Sequence, residues 1–214
     1  RFCPFSMIFI CDPEYVNVYF SNDKLSPQQM NLLYNAADVN MLMSSNEGWG
    51  LSLTEAMMSG TMIIANTTGG MQDQMRFEDD KGEWYTPSPE IPSNHRGTYK
   101  NHGEWAEPIF PSNISLAGSP ATPYIFDDRC SPEDAAKSLV NVFTLGTEER
   151  DRRGLVGREW AMSDEAGFTS DKMCESVSTI LDNTLDRFIP RQSFEIFKAK
   201  SRPSRYIEHN LLNY

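Results

Sequence analysis

The sequence lacks an apolar run of the roughly 20 residues that a transmembrane helix requires, so no membrane-spanning helix is predicted. No secretory signal pattern is visible, and no two cysteines form a C-x-x-C pair. The scattered spacing favours reduced, buried thiols over a disulfide framework, and we therefore expect a cytoplasmic protein. The four cysteines are Cys3, Cys11, Cys130 and Cys174.

The sequence also has fewer basic than acidic side chains. The 19 lysines and arginines are outnumbered by 30 aspartates and glutamates, which gives a formal net charge of −11. Proteins that bind nucleic acid or anionic membranes rely on positive charge, so we expect neither partner. The 214 residues, 39% of them apolar, suit one substantial globular domain, whereas two domains of ordinary size would take about 250 residues or more.

What the sequence does have is a nine-residue motif, EGWGLSLTE, with a glutamate at each end. The apolar run 39–43 before it has the length of a strand, and the stretch after it, closed by Gly60, has the pattern of a helix. The predicted order is therefore strand, loop, helix. Gly48 and Gly50 allow the backbone to approach a ligand closely, and the free N–H groups of a helix that starts near Leu51 favour a phosphate.

The two glutamates of the motif differ in position. Glu47 lies before the turn, at the carboxyl end of a strand, where open α/β sheets bind their ligands. Glu55 lies one helical turn beyond Leu51, and its side chain leans back toward the helix N-terminus. A carboxylate accepts hydrogen bonds from paired hydroxyls but repels phosphate, so a sugar attached to a phosphate, as in a nucleotide sugar, fits the motif. The alternative is that both glutamates are solvated residues without a ligand.

Further segments surround the motif: YNAADV at 34–39, SSN at 44–46, AM at 56–57, Gly60, IIA at 63–65 and GG at 69–70. With the motif they resemble the donor-binding, C-terminal half of retaining glycosyltransferases of group 1, which have two Rossmann-like domains in the GT-B architecture and an E-x7-E motif. The resemblance is dense over residues 30–75. It implies an α/β fold with a Rossmann-like parallel sheet flanked by helices.

The resemblance also assigns a role to the motif residues. In that family the first glutamate contacts the transferred sugar, and Glu47 takes this role and is the predicted catalytic residue. A glycine and the residue after it offer N–H groups to the diphosphate, which are those of Gly50 and Leu51. The second glutamate, Glu55, binds the ribose hydroxyls. No metal ion and no cofactor is expected. The predicted donor site is Glu47, Gly48, Trp49, Gly50, Leu51 and Glu55.

Three departures from the family pattern are visible. Trp49 stands where phenylalanine is commoner, and Ser44 stands where the family usually has proline, but neither change removes a contacting group. The family's arginine and lysine that neutralise the diphosphate lie upstream of the motif. This chain begins at Arg1, directly before what reads as an interior strand at 5–10, and starts too late to contain them. We therefore expect a fragment without the acceptor domain, which binds nucleotide weakly and transfers no sugar alone.

The first part of the chain alternates strands and helices. A strand is predicted at 17–20, and Ser26, with Gln29 three residues on, forms a capping box that opens the next helix. With the strand before the motif and another at 62–65, the order is β-α-β-α-β, and short connections favour a parallel sheet. The Gly-Gly pair at 69–70 is predicted to form a turn, with a close approach to the donor as the alternative.

Residues 82–124 interrupt this alternation with proline, glycine and aromatic residues, and are predicted to be a loop-rich insertion that packs near the cleft or on a partner. The acidic pair Asp127-Asp128 follows and is assigned to a loop or a cap. Four side chains in the region match no standard metal-ligand spacing, so no metal site is predicted. They are His95, His102, Glu104 and Glu107.

The rest of the chain is predicted to be helical. One helix starts at Ser131-Pro132 and reaches Phe143, and Thr147 caps another that reaches Trp160. An amphipathic stripe then predicts a helix with its apolar face in the core. The stripe consists of Met173, Val177, Ile180, Leu181, Leu185 and Phe188. The donor-binding domain is expected to span 1–188, with a C-terminal tail at 189–214.

The resemblance implies a retaining, hexosyltransferase-type enzyme. It would move a sugar from a UDP-, GDP- or ADP-sugar to a glycan, protein or small-molecule acceptor. One alternative is a catalytically silent Rossmann-like binding or structural module derived from such an enzyme. A Rossmann dehydrogenase is the third possibility, but Gly48-Trp49-Gly50 lacks the third glycine of the G-x-G-x-x-G fingerprint.

Overall fold

The computed structural model describes residues 6–12, 15–21, 24–85 and 97–190. The strands are β1 (Ser6–Asp12), β2 (Tyr15–Ser21), β3 (Val39–Leu42), β4 (Met62–Asn66), β5 (Ala106–Ile109), β6 (Asn113–Ser119) and β7 (Thr122–Arg129). The helices are α1 (Pro27–Ala36), α2 (Leu51–Met58), α3 (Pro132–Thr144), α4 (Thr147–Ala161) and α5 (Ser170–Asp186), with a 3-10 helix at Gly69–Met75.

A three-stranded parallel sheet in the order β3-β4-β5 forms the centre of the fold. In its register Val39 lies opposite Met62, and Ile63 lies opposite Ala106. Every residue of β4 is buried, as is usual for the inner strand of a parallel sheet covered on both faces. The prediction of an α/β fold with a parallel sheet flanked by helices is confirmed.

The two faces of β4 contribute to two separate apolar clusters, because successive side chains of a strand point to opposite faces. Ile63 and Ala65 join a large cluster with Leu53 and Met57 of α2. Met62 and Ile64 face the other way and join a smaller cluster with Val142 of α3. The sheet is therefore the middle layer between helices.

Local sequence signals explain where the helices begin and end. Ser26 caps α1 with the predicted capping box: its side chain accepts from the Gln29 N–H at 3.3 Å, and the Gln29 side chain accepts from the Ser26 N–H at 2.9 Å. Gly60, two residues after the end of α2, has φ 86° as expected for a glycine that terminates a helix. Ser131 caps α3, but α4 starts at Thr147 with Gly146 as its N-cap, so Thr147 is not the cap.

Two glycines of α4 allow this helix to approach the sheet closely. A methyl group on Gly154 would overlap the carbonyl oxygen of Gly60, and one on Gly157 would lie 2.6 Å from Cβ of Trp105. Trp160, one turn further along, stacks on Trp105 with ring centroids 4.9 Å apart. This close packing holds α4 against the end of α2 and the start of β5.

The strand predicted at 17–20 is present within β2, but it does not extend the parallel sheet. It pairs with β1 in a separate antiparallel hairpin, with Ser6 opposite Ser21. Only two residues separate β1 from β2, and such a connection permits antiparallel pairing but not the crossover that parallel strands require. The strand predicted at 17–20 and the strand before the motif, β3, therefore belong to different sheets.

The region 82–124 contains more regular structure than its composition predicts. Residues 86–96 lie outside the described part, but β5, β6 and the start of β7 fall within the region. β5 carries Pro108 next to β4, on the edge of the described sheet, where a missing N–H is tolerated. β6 and β7 form an antiparallel hairpin that is largely solvent-exposed, so its strands lack the strong apolar pattern that identifies a buried strand.

The chain divides into two compact units, the first running to Met173 and the second beginning at Cys174. The predicted amphipathic helix is present as α5, but none of its residues is buried, so the assignment of its stripe to the core is wrong. The pattern predicts which face of a helix can be covered and not whether a surface covers it. Residues 191–214 of the predicted tail lie outside the described residues, and the division at residue 188 remains a prediction.

Two expectations from the sequence concern membrane-spanning helices and the cysteines. Within the described residues, none of the helices is both long enough and apolar enough to span a bilayer. Cys130 and Cys174 are free thiols, the first half-buried and the second exposed, so burial is not general among the cysteines.

Candidate functional site

The loop 43–50 joins the carboxyl end of β3 to the first turn of α2 and carries most of the predicted site. Glu47 is half-buried within this loop, and Glu55 is exposed on the second turn of α2. The turn that follows β4 lies at the same edge of the sheet, because β3 and β4 are parallel. The structure therefore places the motif at the edge where α/β proteins bind their ligands.

Gly50 is the residue that turns the chain into α2. It is the N-cap of the helix, in the left-handed region with φ 84°, and it is buried. A methyl group here would lie 3.0 Å from Cδ2 of Leu42 and 3.2 Å from Cγ of Met71. Gly48, by contrast, is exposed and has no atom within 4 Å of the position a methyl group would take. Gly50 is thus required by the turn, and Gly48 leaves open space above it.

The first turn of α2 has backbone donors that no side chain caps. Gly50 offers no side chain to cap them, and the first bond of the turn joins the Leu53 N–H to the Gly50 carbonyl at 2.9 Å. The N–H groups of Leu51 and Ser52 precede that bond and belong to the set that a helix leaves without internal acceptors. Leu51 is 69% exposed, so a ligand can reach this turn. An anion is the matching ligand.

A hydrogen-bond network fixes the conformation of the turn. The Trp49 indole N–H donates to Oγ1 of Thr54 at 2.9 Å, and that hydroxyl donates to Oε1 of Gln74 at 2.7 Å. Gln74 is fully buried, and its amide donates back to the Trp49 carbonyl at 2.5 Å. The Trp105 indole N–H in turn donates to the Gln74 carbonyl at 3.1 Å. The turn is therefore rigid before any ligand arrives.

Aromatic contacts extend from the turn into the core. The Trp49 ring meets Phe168 edge-on with centroids 5.0 Å apart, and Phe168 meets Trp160 at 5.1 Å. Trp160 also contacts Trp84 edge-on at 5.5 Å, and all of these rings lie before the second compact unit begins. Trp49 is thus an anchor of the loop to the core. Its ring and its N–H are both used, whereas a phenylalanine would supply only the ring.

The Gly69–Gly70 turn lies directly against the motif loop. A methyl group on Gly69 would overlap the Glu47 carbonyl oxygen, and one on Gly70 would overlap the Gly48 carbonyl oxygen. Gly69 also has φ 51°. The pair forms the start of a 3-10 helix, which agrees with the predicted turn, and the close approach to the donor stays a prediction.

Polar residues from β4 and β7 hold the beginning of the motif loop. The Asn66 side chain donates to the Ser44 carbonyl at 2.9 Å and to the Asp128 carbonyl at 3.0 Å. The Asp128 N–H donates to the Ser45 carbonyl at 2.9 Å, and its carboxylate accepts from the Thr68 hydroxyl at 2.8 Å. Asp128 was predicted to lie in a loop or cap, but it is a buried residue of β7 that secures the loop.

Glu55 has a partner that the sequence pattern did not reveal. The Tyr34 hydroxyl of α1 donates to its Oε2 at 2.8 Å. Burial and, after it, the hydrogen bond to Glu55 raise the pKa of Tyr34 well above its ordinary value. The phenol therefore remains a donor throughout the physiological range.

The side chains considered for a metal site have other partners. Glu104 pairs with Arg152 at 2.5 Å, and this hydrogen bond lowers the pKa of Glu104. Glu107 accepts from the Asn141 amide at 2.7 Å, and His102 lies 2.9 Å from the Gly103 carbonyl. His95 lies outside the described residues. Across the part of the chain that can be described, no group of three or more His, Cys, Asp or Glu side chains is placed to hold a metal ion.

The sequence patterns correctly placed the motif between β3 and α2 but did not reveal the residues that hold it. Tyr34 was noted only within the segment YNAADV at 34–39, and its bond to Glu55 spans 21 positions. Gln74 was not singled out, because a buried amide within a short 3-10 helix leaves no periodic signal. The cue that did exist was the Gly-Gly pair directly before it.

Comparison with known protein families gave a match to part of the chain. Residues 16–91 match the family described as glycosyl transferases, group 1. The matched range includes β3, the motif loop, α2, β4 and the Gly69–Gly70 turn. Comparison with curated proteins gave no significant match. The family match supports a glycosyl transfer function.

Proposed function

We propose that this chain is the donor-binding domain of a retaining glycosyltransferase of the GT-B architecture. Its donor is a nucleotide-diphosphate sugar with a UDP, GDP or ADP group. Its acceptor is a glycan, a protein or a small molecule. The proposal is supported by the match over residues 16–91 and by the arrangement of the two glutamates on either side of an open helix start.

The single observation that carries the proposal is the left-handed N-cap Gly50 between Glu47 and Glu55. Gly50 has no side chain to cap the first N–H groups of α2, and these groups suit the two negatively charged phosphates. Glu55, four residues into the helix, suits the hydroxyls of a ribose, and the half-buried Glu47 suits those of the transferred sugar. Gly48 leaves room for the ligand between them.

In the proposed reaction the bond between the anomeric carbon and the diphosphate oxygen breaks, and the acceptor oxygen bonds to the same face of that carbon. The departing nucleoside diphosphate takes the electron pair of the broken bond, and its phosphate oxygen takes up the proton that the acceptor hydroxyl loses. The N–H groups of Leu51 and Ser52 stabilise the negative charge that develops there, and because the turn is already rigid they need no rearrangement. Glu47 holds the sugar in the orientation that the transfer requires.

The test is calorimetric titration of the purified chain with UDP, GDP and ADP and with their glucose conjugates. Glu55→Ala should weaken both the free nucleotide and the conjugate by about 1.5 to 3 kcal/mol, the value of hydrogen bonds to a charged acceptor. Glu47→Ala should weaken only the conjugate, because it contacts only the sugar. Glu159→Ala, which removes an exposed glutamate from α4, is the matched control and should change neither affinity.

The assignment fails if Glu47→Ala loses free-nucleotide affinity as severely as Glu55→Ala, or if neither substitution changes binding. Turnover is measured separately as release of nucleoside diphosphate from each conjugate. Binding without release from any conjugate would favour the catalytically silent module.

A further inference from the structure

Tyr34 and Glu55 form a pair in which one partner is fixed and the other faces solvent. Tyr34 is 8% exposed and belongs to the main apolar cluster. Glu55 is exposed, and its Oε2 accepts the Tyr34 hydroxyl at 2.8 Å. A ligand can therefore reach the carboxylate from outside while the phenol holds it from behind.

The position of Tyr34 is itself well determined. The hydroxyl of the buried residue Thr61 donates to the Tyr34 carbonyl at 2.7 Å. That carbonyl also accepts the Ala37 N–H at 3.3 Å, at the end of α1. The backbone of Tyr34 is thus tied to the residue directly before β4, and its ring is held by the core. The hydroxyl occupies one defined place relative to α2.

We infer that Tyr34 is a positioning residue that orients the Glu55 carboxylate and so makes the site select a ribose over a deoxyribose. The inference rests on the proposed function and concerns the nucleoside end of the donor. A free glutamate on a helix surface samples several rotamers, and ordering it on binding costs free energy. With Oε2 held by Tyr34, the plane of the carboxylate is set in advance and its remaining lone pairs face the ligand.

A purely structural role for the bond predicts something different. Suppose that Glu55 served only as a hydrogen-bond partner for the Tyr34 hydroxyl at the edge of the core. Removal of the hydroxyl would then alter stability but would change the affinity for all nucleotides alike. Orientation of Glu55 affects only ligands that offer hydroxyls to the carboxylate. The ratio of ribonucleotide to deoxyribonucleotide affinity therefore separates the two roles.

The experiment titrates UDP, GDP and ADP, and the 2′-deoxy form of each, into the wild-type chain and into Tyr34→Phe. The wild type should prefer the ribonucleotide. Tyr34→Phe should weaken the ribonucleotide by about two- to tenfold, the cost of immobilising one side chain on binding. It should weaken the 2′-deoxy form less, because that form offers only its 3′-hydroxyl to the carboxylate, so the ratio of the two affinities should fall. Tyr124→Phe, at an exposed tyrosine of β7, is the matched control and should keep the wild-type ratio.

A second comparison uses Glu55→Gln with and without Tyr34→Phe. If Tyr34 acts through the carboxylate, Tyr34→Phe should have little further effect on the ratio once Glu55 is an amide. Circular dichroism verifies that each variant is folded, as expected because the phenylalanine is isosteric and leaves Glu55 in solvent. A Tyr34→Phe variant that keeps the full wild-type ratio would overturn the role of Tyr34 alone. A wild-type chain that binds none of the diphosphates would reject the proposed function and this inference together.

Discussion

A methyl group on Gly69 would overlap the carbonyl oxygen of Glu47, so the turn after β4 touches the backbone of the motif loop without any side chain between them. The position of β4 therefore helps to determine the position of Glu47, the residue proposed to hold the sugar. It also explains why two adjacent glycines stand here, since Gly70 meets the carbonyl of Gly48 in the same way.

This contact predicts that alanine is tolerated less well at position 69 than at position 48. Gly69→Ala should destabilise the fold by about 1 to 3 kcal/mol, because the new methyl group displaces the Glu47 backbone and the left-handed φ of 51° is unfavourable for alanine. Gly48→Ala should change stability by less than about 0.5 kcal/mol, because it is exposed and has open space at that position. Urea unfolding of both variants measures this.

Equal stability of the two variants would show that the loop can move away from the turn at little cost. The affinity for nucleoside diphosphate adds a second measure. Gly69→Ala should reduce it through the displaced loop, whereas Gly48→Ala tests whether a ligand uses the space above that residue.

The parts of the fold that the sequence predicted are those specified by neighbouring residues. The capping box at Ser26 and the terminating glycine at position 60 are signals confined to one or two helical turns, and both gave the correct helix ends. The strand-loop-helix order around the motif follows from apolar runs of the correct length. These signals were sufficient to place Glu47 in the loop after β3 and Glu55 in α2.

The parts that the sequence did not predict depend on contacts between distant residues. The exposed hairpin β6-β7 buries too little to carry a strong alternating pattern, and Asp128 was recognised as part of an acidic pair without its partner Thr68, 60 positions away. The bond between Tyr34 and Glu55 has the same origin. The assignment of the α5 stripe to the core failed for the opposite reason. The apolar pattern is clear, but it does not show which surface would cover the stripe.

The network behind the motif turn leads to a prediction about Gln74. Gln74→Leu removes the amide that accepts from the Thr54 hydroxyl and donates to the Trp49 carbonyl. The hydroxyl and the carbonyl then lose this hydrogen-bond partner in a buried environment. We expect a loss of about 2 to 4 kcal/mol in the free energy of unfolding. Gln28→Leu, an exposed position on α1, is the control and should change stability by less than about 0.5 kcal/mol. The measurement is urea unfolding followed by tryptophan fluorescence.

Trp49→Phe probes the same network more gently. It keeps an aromatic ring for Phe168 but removes the indole N–H bound to Thr54, so we expect a loss of about 1 kcal/mol. If Gln74→Leu proves no more harmful than Trp49→Phe, the network contributes little, and the rigidity of the turn comes from the aromatic contacts alone.

The last prediction concerns the pH dependence of stability at Asp73, in the 3-10 helix beside the motif loop. Burial raises the pKa of its carboxyl to about 6. Between its ordinary pKa and this value the folded state binds a proton that the unfolded state has released, so stability falls as the pH rises through about 6. Asp73→Asn cannot ionise and escapes this loss. We expect it to match the wild type near pH 4 and to exceed it by about 1 to 2 kcal/mol above pH 7, a value reduced from the full shift because the side chain is partly solvated. Asp151→Asn, on the exposed side of α4, should show no such trend. Denaturant unfolding at half-unit steps of pH measures the difference, and a constant gap between Asp73→Asn and the wild type from pH 4 to 8 would show that burial does not control this carboxyl.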